Sequence, residues 1–241
     1  MDYYLIPFQY YSPYTRLGLN QVLIEKVKKK PAVYFSLTGW NQICVSIGVN
    51  QKIKDVLNQE AINETLIIRR ESGGGAVVLT PDDICWGIVG PRTFFPENIQ
   101  DIHEFATAKI REALAQMGIN SQFKPINDII TAKGKISGSA ITQRQGVVYV
   151  MGTLLYKKRK DLMNKYLRPE NDYNKGLPEK KKKISCISEL SNISFKKAIS
   201  IVENSLTKGF KVSPYTWTKE DLELAHQFSQ QYAQKEWIYQ L

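Results

Sequence analysis

Apolar residues recur along this chain at two spacings, one typical of helices and one typical of strands. Helical spacing is clearest from Ile99 to Met117, where an apolar residue returns every three or four positions until Gly118 can end the helix. Ser12 followed by Pro13 is a typical helix start. The spacing and the end signals predict five helices, at residues 13–29, 53–57, 99–117, 195–208 and 218–234, the last one opened by a capping box of Thr218 and Asp221.

Short apolar runs rich in β-branched and aromatic residues predict the strands. They lie at residues 1–6, 33–37, 43–48, 66–69, 84–89, 122–124, 128–131, 136–141 and 147–155, and one further strand begins at residue 76. The close succession of strands after residue 122 suggests an antiparallel sheet. The polar stretch 157–183 has the length of a functional loop or lid. We therefore predict an α+β fold, a sheet with helices packed on it.

Length and composition limit the class of protein. The chain has 241 residues, 43% of them hydrophobic, which is enough for one large domain or two small ones with a real core. Its longest apolar runs are strand-sized, and the amino terminus lacks the layout of a secretory signal. We therefore expect no membrane span and a cytoplasmic location.

Cysteine and histidine content argues against two kinds of site. Cys44, Cys85 and Cys186 are odd in number and widely separated, which does not fit a disulfide framework. His103 and His226 lie in helix-like segments far from any cysteine, so we expect no histidine-rich zinc site. The formal net charge of +10 favours an anionic partner, which could be a nucleotide, an acidic protein surface or nucleic acid.

The most informative segment is the glycine loop, which we define as residues 70–76. Three consecutive glycines between strands let the backbone approach a ligand closely and offer its N–H groups to an anion. Arg69 or Arg70 could add a bidentate contact to a phosphate or carboxylate. No Gly-Lys-Ser/Thr follows, so this is not a Walker loop, and a mobile hairpin turn remains the alternative.

Two further blocks support a ligand site. One contains Asn127 and Asp128 followed by Gly-Lys-Ile-Ser-Gly-Ser-Ala from Gly134, and the other is Met-Gly-Thr-Leu-Leu from Met151. Together, and in this order, the three blocks resemble the lipoate-protein ligases, a family of the biotin/lipoate ligase superfamily. The resemblance covers nearly the whole chain.

The resemblance implies one catalytic domain over residues 1–241, with a central mixed, mostly antiparallel sheet and helices on one side. It implies ATP-dependent, Mg²⁺-assisted activation of lipoate or octanoate, and transfer to a lysine of an acceptor lipoyl domain, of the 2-oxoacid dehydrogenase E2 or glycine-cleavage H type. Lys135 would be catalytic. The nucleotide would contact Arg70, Gly75, Ala76, Val77, Val78, Asn127, Asp128 and Lys135. Lipoate would contact Ser72, Gly73, Gly74, Gly75, Lys135 and Gly138.

The residue types suit this chemistry. A carboxylate and an α-phosphate repel each other, so a fixed ammonium such as that of Lys135 lowers the cost of bringing them together. Asp128 could hold Mg²⁺ through its oxygens. Methylenes of the acyl tail would each contribute about 0.8 kcal/mol on burial, with Val77, Val78 and Trp40 as candidate apolar contacts.

Two departures from the family pattern matter. Met151 stands where the family usually has histidine, and no small carboxy-terminal accessory domain follows before Leu241. We therefore expect that a separate accessory chain could be needed for activation. The alternatives are an octanoyl or lipoyl transferase of the same fold using a thiol, a biotin ligase, whose Gly-Arg-Gly-Arg loop is lacking here, and a non-catalytic basic module. We do not expect nucleic acid as a partner, because Lys135 is retained.

Overall fold

An eight-stranded sheet with helices on both faces organises residues 1–168 and 183–241, the residues that this computed structural model describes. Its strand order is β11-β1-β2-β6-β10-β9-β8-β7. The strands are β1 (Asp2–Tyr11), β2 (Ala32–Trp40), β6 (Asp83–Pro91), β7 (Gln122–Lys124), β8 (Asp128–Thr131), β9 (Gly134–Arg144), β10 (Val147–Leu155) and β11 (Ser213–Pro214). Strand β1 runs parallel to β2 and β11, and every other pair is antiparallel. The predicted mixed, mostly antiparallel sheet is confirmed.

A second sheet of three strands lies beside the first, in the order β4-β3-β5. It consists of β3 (Cys44–Ile47), β4 (Leu66–Arg69) and β5 (Val77–Leu79). The helices are α1 (Pro13–Lys29), α2 (Ile53–Val56), α3 (Gln59–Glu64), α4 (Ile99–Gln116), α5 (Lys160–Tyr166), α6 (Ile187–Leu190), α7 (Phe195–Thr207), α8 (Lys219–Tyr232) and α9 (Lys235–Ile238). In the described residues no helix is both long enough and apolar enough for a membrane crossing.

The expectation of helices on one side of the sheet is wrong, because both faces are covered. Helices α4 and α7 bury Ile102, Ile110 and Val202 against one face. Helix α1 buries Leu23 and Val27 against the other face, and α8 packs on α1. Alternation along the strands supplies apolar side chains to both faces. We call the side of the sheet covered by α4 and α7 the α4 face, and the side covered by α1 the α1 face.

Local signals explain where the long helices begin and end. The Ser12 hydroxyl accepts a hydrogen bond from the Thr15 amide, and the capping box of Thr218 and Asp221 is formed. Gly118 adopts a φ of +76°, which favours glycine and ends α4. The predicted long helices are confirmed to within a few residues.

The predicted loop at 157–183 is partly helical. Residues 160–166 form α5, whose Tyr166 packs into the core of the small sheet with Leu57. The side-chain amide of Asn58 donates to the backbone carbonyls of residues 164, 165 and 167, which fixes the end of α5. The first part of the predicted lid is therefore docked, and residues 169–182 lie outside the described part of the chain. The sequence also did not predict α3, α6, α9 or β11, all short elements without a clear period.

Candidate active site

The glycine loop joins β4 to β5 and wraps around the guanidinium of Arg70. The Arg70 Nη2 donates to the carbonyls of Gly73 and Gly75, both at 2.8 Å, and its Nη1 donates to the Ser46 carbonyl at 3.1 Å. Burial lowers the pKa of Arg70 to about 10. The loop is therefore held in shape by a cation at its centre.

The amides of this loop are available to a ligand. Gly73, Gly74 and Gly75 donate no backbone hydrogen bond to any of the described residues. A methyl group at Gly73 or Gly75 would meet nothing within 4 Å, so both face open space. Gly74 has a φ of +93°, which a side chain would strain. Successive amides with no internal partner form a ready anion site.

The two neighbouring arginines have different tasks. Arg69 is fully buried and donates to the carbonyls of Gly48, Val49, Gln51 and Ile238 at 2.7–3.0 Å. It joins the small sheet to the carboxy-terminal helix and does not reach the glycine loop. Of the two guanidinium groups, that of Arg70 lies within the glycine loop.

Asp128 on β8 and Lys135 on β9 form an ion pair next to Gly138, and we call these three residues the charged corner, or Lys135 corner. The Lys135 Nζ lies 2.5 Å from the Asp128 Oδ1, and the lysine side chain is 36% exposed. The same oxygen accepts no hydrogen bond from the described residues, so the contact is an ion pair without directed geometry. Asp128 pairs with Gly138 across the two strands. An ideal Cβ on Gly138 would lie 2.8 Å from the Lys135 Nζ, so the absence of a side chain there makes room for the ammonium.

The backbone of Lys135 is fixed on both sides. Its amide donates to the Lys183 carbonyl at 2.9 Å, and its carbonyl accepts from the Ser185 amide at 2.8 Å. Asn127, predicted to contact the nucleotide, directs its amide to the Ser139 carbonyl at 2.5 Å. A nucleotide contact by Asn127 stays a prediction.

Three small residues of β9, Gly138, Ala140 and Thr142, form a row that leads away from the ammonium along the α1 face, and we call this row the track. The Cβ direction of Gly138 points to the Lys135 Nζ, and Ala140 and Thr142 share that side because strand residues alternate. The facing residues of β10 are Thr153, Met151 and Tyr149. Four residues of strand span ~13 Å.

The track ends at a narrow, partly open cleft of ≈ 20 Å³. It is lined by residues of α1, the glycine loop, β9, β10 and α8, namely Leu17, Asn20, Gln21, Ile24, Arg70, Glu71, Ser72, Thr142, Tyr149, Met151 and Tyr232. This volume holds about one water molecule. Ser72 lines the cleft, and its contact with lipoate stays a prediction, whereas Val77 is 39% exposed and Val78 is buried in the small-sheet core. Trp40 is buried in another core cluster.

The cleft is closed by a polar network that the sequence did not predict. The Glu71 carboxylate accepts from Gln21 at 2.5 Å, from the Tyr232 hydroxyl at 2.7 Å and from Arg144 at 3.3 Å. Burial, and then the neighbouring Glu71, raises the pKa of Tyr232. Glu71 thus ties the glycine loop to α1, β9 and α8.

The family model of the lipoyl protein ligase A/B catalytic domain matches residues 12–207. That segment includes the glycine loop, the Lys135 corner and the track. The chain belongs to this family. It is therefore an enzyme of the class that comprises lipoyl ligases and octanoyl transferases.

Relatives of both activities resemble this member of the family. The lipoate-protein ligase LplJ of Bacillus subtilis is 27% identical over 95% of this chain and 70% of its own length. A probable lipoate-protein ligase A of Mycoplasma pneumoniae is 27% identical over 80% of this chain and 58% of its own. The octanoyltransferase LipM of Bacillus subtilis is 23% identical over 95% of this chain and 94% of its own. The chain thus spans 58–70% of these two ligases but nearly all of the transferase.

Solved structures confirm the family fold. A lipoate-protein ligase A bound with ATP superposes with a TM-score of 0.84 at 17% identity, and each chain is fully covered. The bi-partite lipoate protein ligase of Thermoplasma acidophilum, described with its E2 lipoyl domain, gives 0.83 at 16% identity and covers 99% of this chain and 96% of that one. The predicted fold of the biotin/lipoate ligase class is therefore confirmed.

The three cysteine thiols are buried. Cys44 and Cys186 have no exposed surface, and Cys85 is 1% exposed. Burial raises the pKa of the Cys44 and Cys85 thiols. The Cys85 Sγ also accepts from the Trp40 indole at 3.0 Å. These are the surroundings of structural cysteines.

Proposed function

We propose that this chain is a lipoate-protein ligase, which uses ATP to activate lipoate or octanoate as its adenylate and transfers the acyl group to a lysine of a lipoyl domain. The observation that carries the proposal is the position of the Lys135 ammonium. It lies over Gly138, at the start of a track that leads to a cleft. The free amides of the glycine loop supply the anion site beside that cleft.

The first half-reaction needs a fixed positive charge. A carboxylate oxygen of the acyl substrate attacks the α-phosphorus of ATP, a new P–O bond forms, and the bond to pyrophosphate breaks. Both reactants are anionic, so the Lys135 ammonium stabilises their approach and the charge that develops on the phosphoryl oxygens. Asp128 holds that ammonium in place before the substrates arrive.

The second half-reaction moves the acyl group to the acceptor. The neutral amine of the acceptor lysine attacks the acyl carbonyl, an amide bond forms, AMP leaves, and the amine loses its proton. The leaving phosphate gains negative charge in this step. The same ammonium therefore serves both half-reactions, since phosphate and carbonyl oxygens lie next to each other in the adenylate.

Asp128 fits a magnesium ion that accompanies the nucleotide. Its Oδ1 is buried, lies 2.5 Å from the Lys135 Nζ and accepts no hydrogen bond from the described residues, and residues 1–168 and 183–241 gather no set of three metal-binding side chains. Mg²⁺ in phosphate chemistry is often held by one or two carboxylates together with the phosphates. When bound, the ion would neutralise phosphate charge.

A transferase that takes its acyl group from a thioester is the second candidate, because LipM matches over nearly its whole length. The burial of Cys44, Cys85 and Cys186 argues against a cysteine nucleophile. We infer that an acyl-adenylate is the donor, and that no thiol takes part. Replacement of all three cysteines by alanine should then leave the transfer rate within about threefold.

The acceptor and its context are part of the proposal. A lipoyl domain of the E2 or H type is the expected acceptor, and one catalytic domain over residues 1–241 is expected to work in the cytoplasm. The proposal also includes a separate accessory chain as a possible partner in the adenylation step.

Acceptor mass tests the proposal with three donors. The purified chain is incubated with a lipoyl domain and, in separate reactions, with lipoate plus MgATP, with synthetic lipoyl-adenylate, or with an octanoyl thioester of a carrier protein. Transfer from the first two donors is expected of a complete ligase, and transfer from the adenylate alone indicates a missing accessory chain. Transfer from the thioester alone would contradict the ligase proposal in favour of a transferase.

A further inference from the structure

His103 is a buried titratable residue on the mostly apolar buried face of α4. It lies in α4 between core residues such as Ile102 and Ala106, and only 5% of its surface is exposed. Burial lowers the pKa of its imidazole. Packing alone would favour an apolar residue here, because a buried polar group costs free energy unless it is hydrogen-bonded. Its Nδ1 lies 2.8 Å from the Ser139 hydroxyl.

Ser139 joins His103 to the residue that precedes Asp128. The Ser139 amide donates to the Asn127 carbonyl at 2.9 Å, and the Ser139 hydroxyl donates to the same carbonyl at 3.1 Å. The Asn127 amide in turn donates to the Ser139 carbonyl at 2.5 Å. The Ser139 hydroxyl has one proton and two neighbours that can accept it, the Asn127 carbonyl and the His103 Nδ1. In either tautomer of the imidazole, the hydrogen bond between Nδ1 and this hydroxyl joins His103 to the Ser139–Asn127 pair.

This chain of hydrogen bonds ends directly behind the charged corner. Ser139 follows Gly138 on β9, and Asn127 precedes Asp128 at the start of β8. Adjacent strand residues point to opposite faces, so Ser139 points to α4 while Gly138 faces the Lys135 ammonium. His103 thus supports the corner from the α4 face and touches no part of the track.

We propose that His103 is a positioning residue, which holds the Ser139–Asn127 pair so that Asp128 and Lys135 keep their ion pair over Gly138. Its role in the reaction rests on the proposed function. The position of the ion pair does not, and it can be measured in a chain that is inactive.

Three substitutions separate this role from simple packing. Asparagine places an amide nitrogen where the Nδ1 is now, glutamine places it one bond further out, and leucine offers an apolar side chain that suits the core. We expect His103→Asn to keep most of the acyl-transfer kcat, and His103→Gln and His103→Leu to lose about tenfold or more, with an unchanged KM for the acyl-adenylate. A packing role predicts the reverse order, with leucine tolerated best. The matched control is His226→Leu, which changes an exposed histidine.

The second readout is the labelling rate of Lys135 by acetic anhydride, followed by peptide mass, with the exposed Lys133 as the internal standard. Loss of the support should raise the Lys135 rate in His103→Leu and His103→Gln but not in His103→Asn. If His103→Leu fails to fold, the glutamine and asparagine variants still give the comparison. Equal Lys135 labelling in wild type, Gln and Asn variants would overturn the inference. A wild-type chain that transfers nothing would instead contradict the proposed function, while the labelling would still decide the role of His103.

Discussion

The glycine loop and the Lys135 corner carry their positive charge in different ways. In the loop, the cation of Arg70 is turned inward to backbone carbonyls, and the amides of Gly73 to Gly75 are left free. In the corner, the backbone N–H and carbonyl of Lys135 are both hydrogen-bonded, and its charged side chain is partly exposed beside Asp128. The comparison teaches that one region would bind through its backbone shape and the other through one side chain. Substitutions should therefore affect them differently.

The largest effect is expected for Lys135→Met, which removes the partly exposed charge and keeps the length of the side chain. We expect transfer from lipoyl-adenylate to fall about 10²–10³-fold, because one lost donor to a developing oxyanion costs that much. Single-turnover rates with a lipoyl domain measure this. Lys133→Met, two residues away on the same hairpin, is the control and should keep nearly the full rate. A Lys135→Met variant with normal rates would refute the assignment.

A smaller effect is expected for Gly138→Ala. The new Cβ would lie 2.8 Å from the Lys135 Nζ and 3.4 Å from the Asp128 Oδ1, so the ammonium must shift. We expect about a 10–100-fold loss in kcat/KM with little change in Tm, because the end of a lysine can move at small cost. Gly73→Ala is the contrast, since its methyl group meets no described atom and should raise KM without moving Lys135. Equal kcat in both variants would contradict this difference.

The arginine pair separates stability from binding. Arg69→Lys leaves several buried carbonyls without a donor, and we expect it to lower the free energy of unfolding by about 2–4 kcal/mol. Arg70→Lys loosens the glycine loop and should raise the KM for the acyl-adenylate about tenfold, with less loss of stability. Urea denaturation and steady-state kinetics of both variants are the measurements. The prediction fails if Arg69→Lys changes KM more than Arg70→Lys does.

The smallest effect is expected for Tyr232→Phe, which removes one hydrogen bond to Glu71. Urea denaturation should show a loss of about 1 kcal/mol in the free energy of unfolding. Because the cleft of ≈ 20 Å³ has to widen for an acyl tail, we also expect KM for lipoate to fall slightly rather than rise. Tyr239→Phe, an exposed tyrosine, is the control. A clear rise in KM would show that the network supports the open cleft.

The glycine loop, Asp128 and Lys135 could be singled out from the sequence because together their blocks resemble a known family, and their roles stay predictions. The contacts that position them could not be singled out, since Glu71 meets Tyr232 across 161 residues and His103 meets Ser139 across 36. Such pairs depend on how strands and helices are brought together, which local patterns do not encode.

The fold, too, divides into elements that local sequence patterns predict and elements that depend on tertiary packing. The long helices and the strands after residue 122 follow from period and capping, which are local. The helical cover on both faces and the docking of α5 follow from tertiary packing of short elements. Arg69 and Arg70 illustrate the limit most simply, since two adjacent arginines, one at the end of β4 and one at the start of the glycine loop, make entirely different contacts.

A crystal structure with a non-hydrolysable analogue of lipoyl-adenylate would test the central claim most directly. We predict that the phosphate group contacts the Lys135 Nζ and the amides of the glycine loop. The acyl tail should run over Gly138 and Ala140 toward Thr142, with the cleft widened. An analogue bound elsewhere, or one that leaves Lys135 paired only with Asp128, would contradict the account.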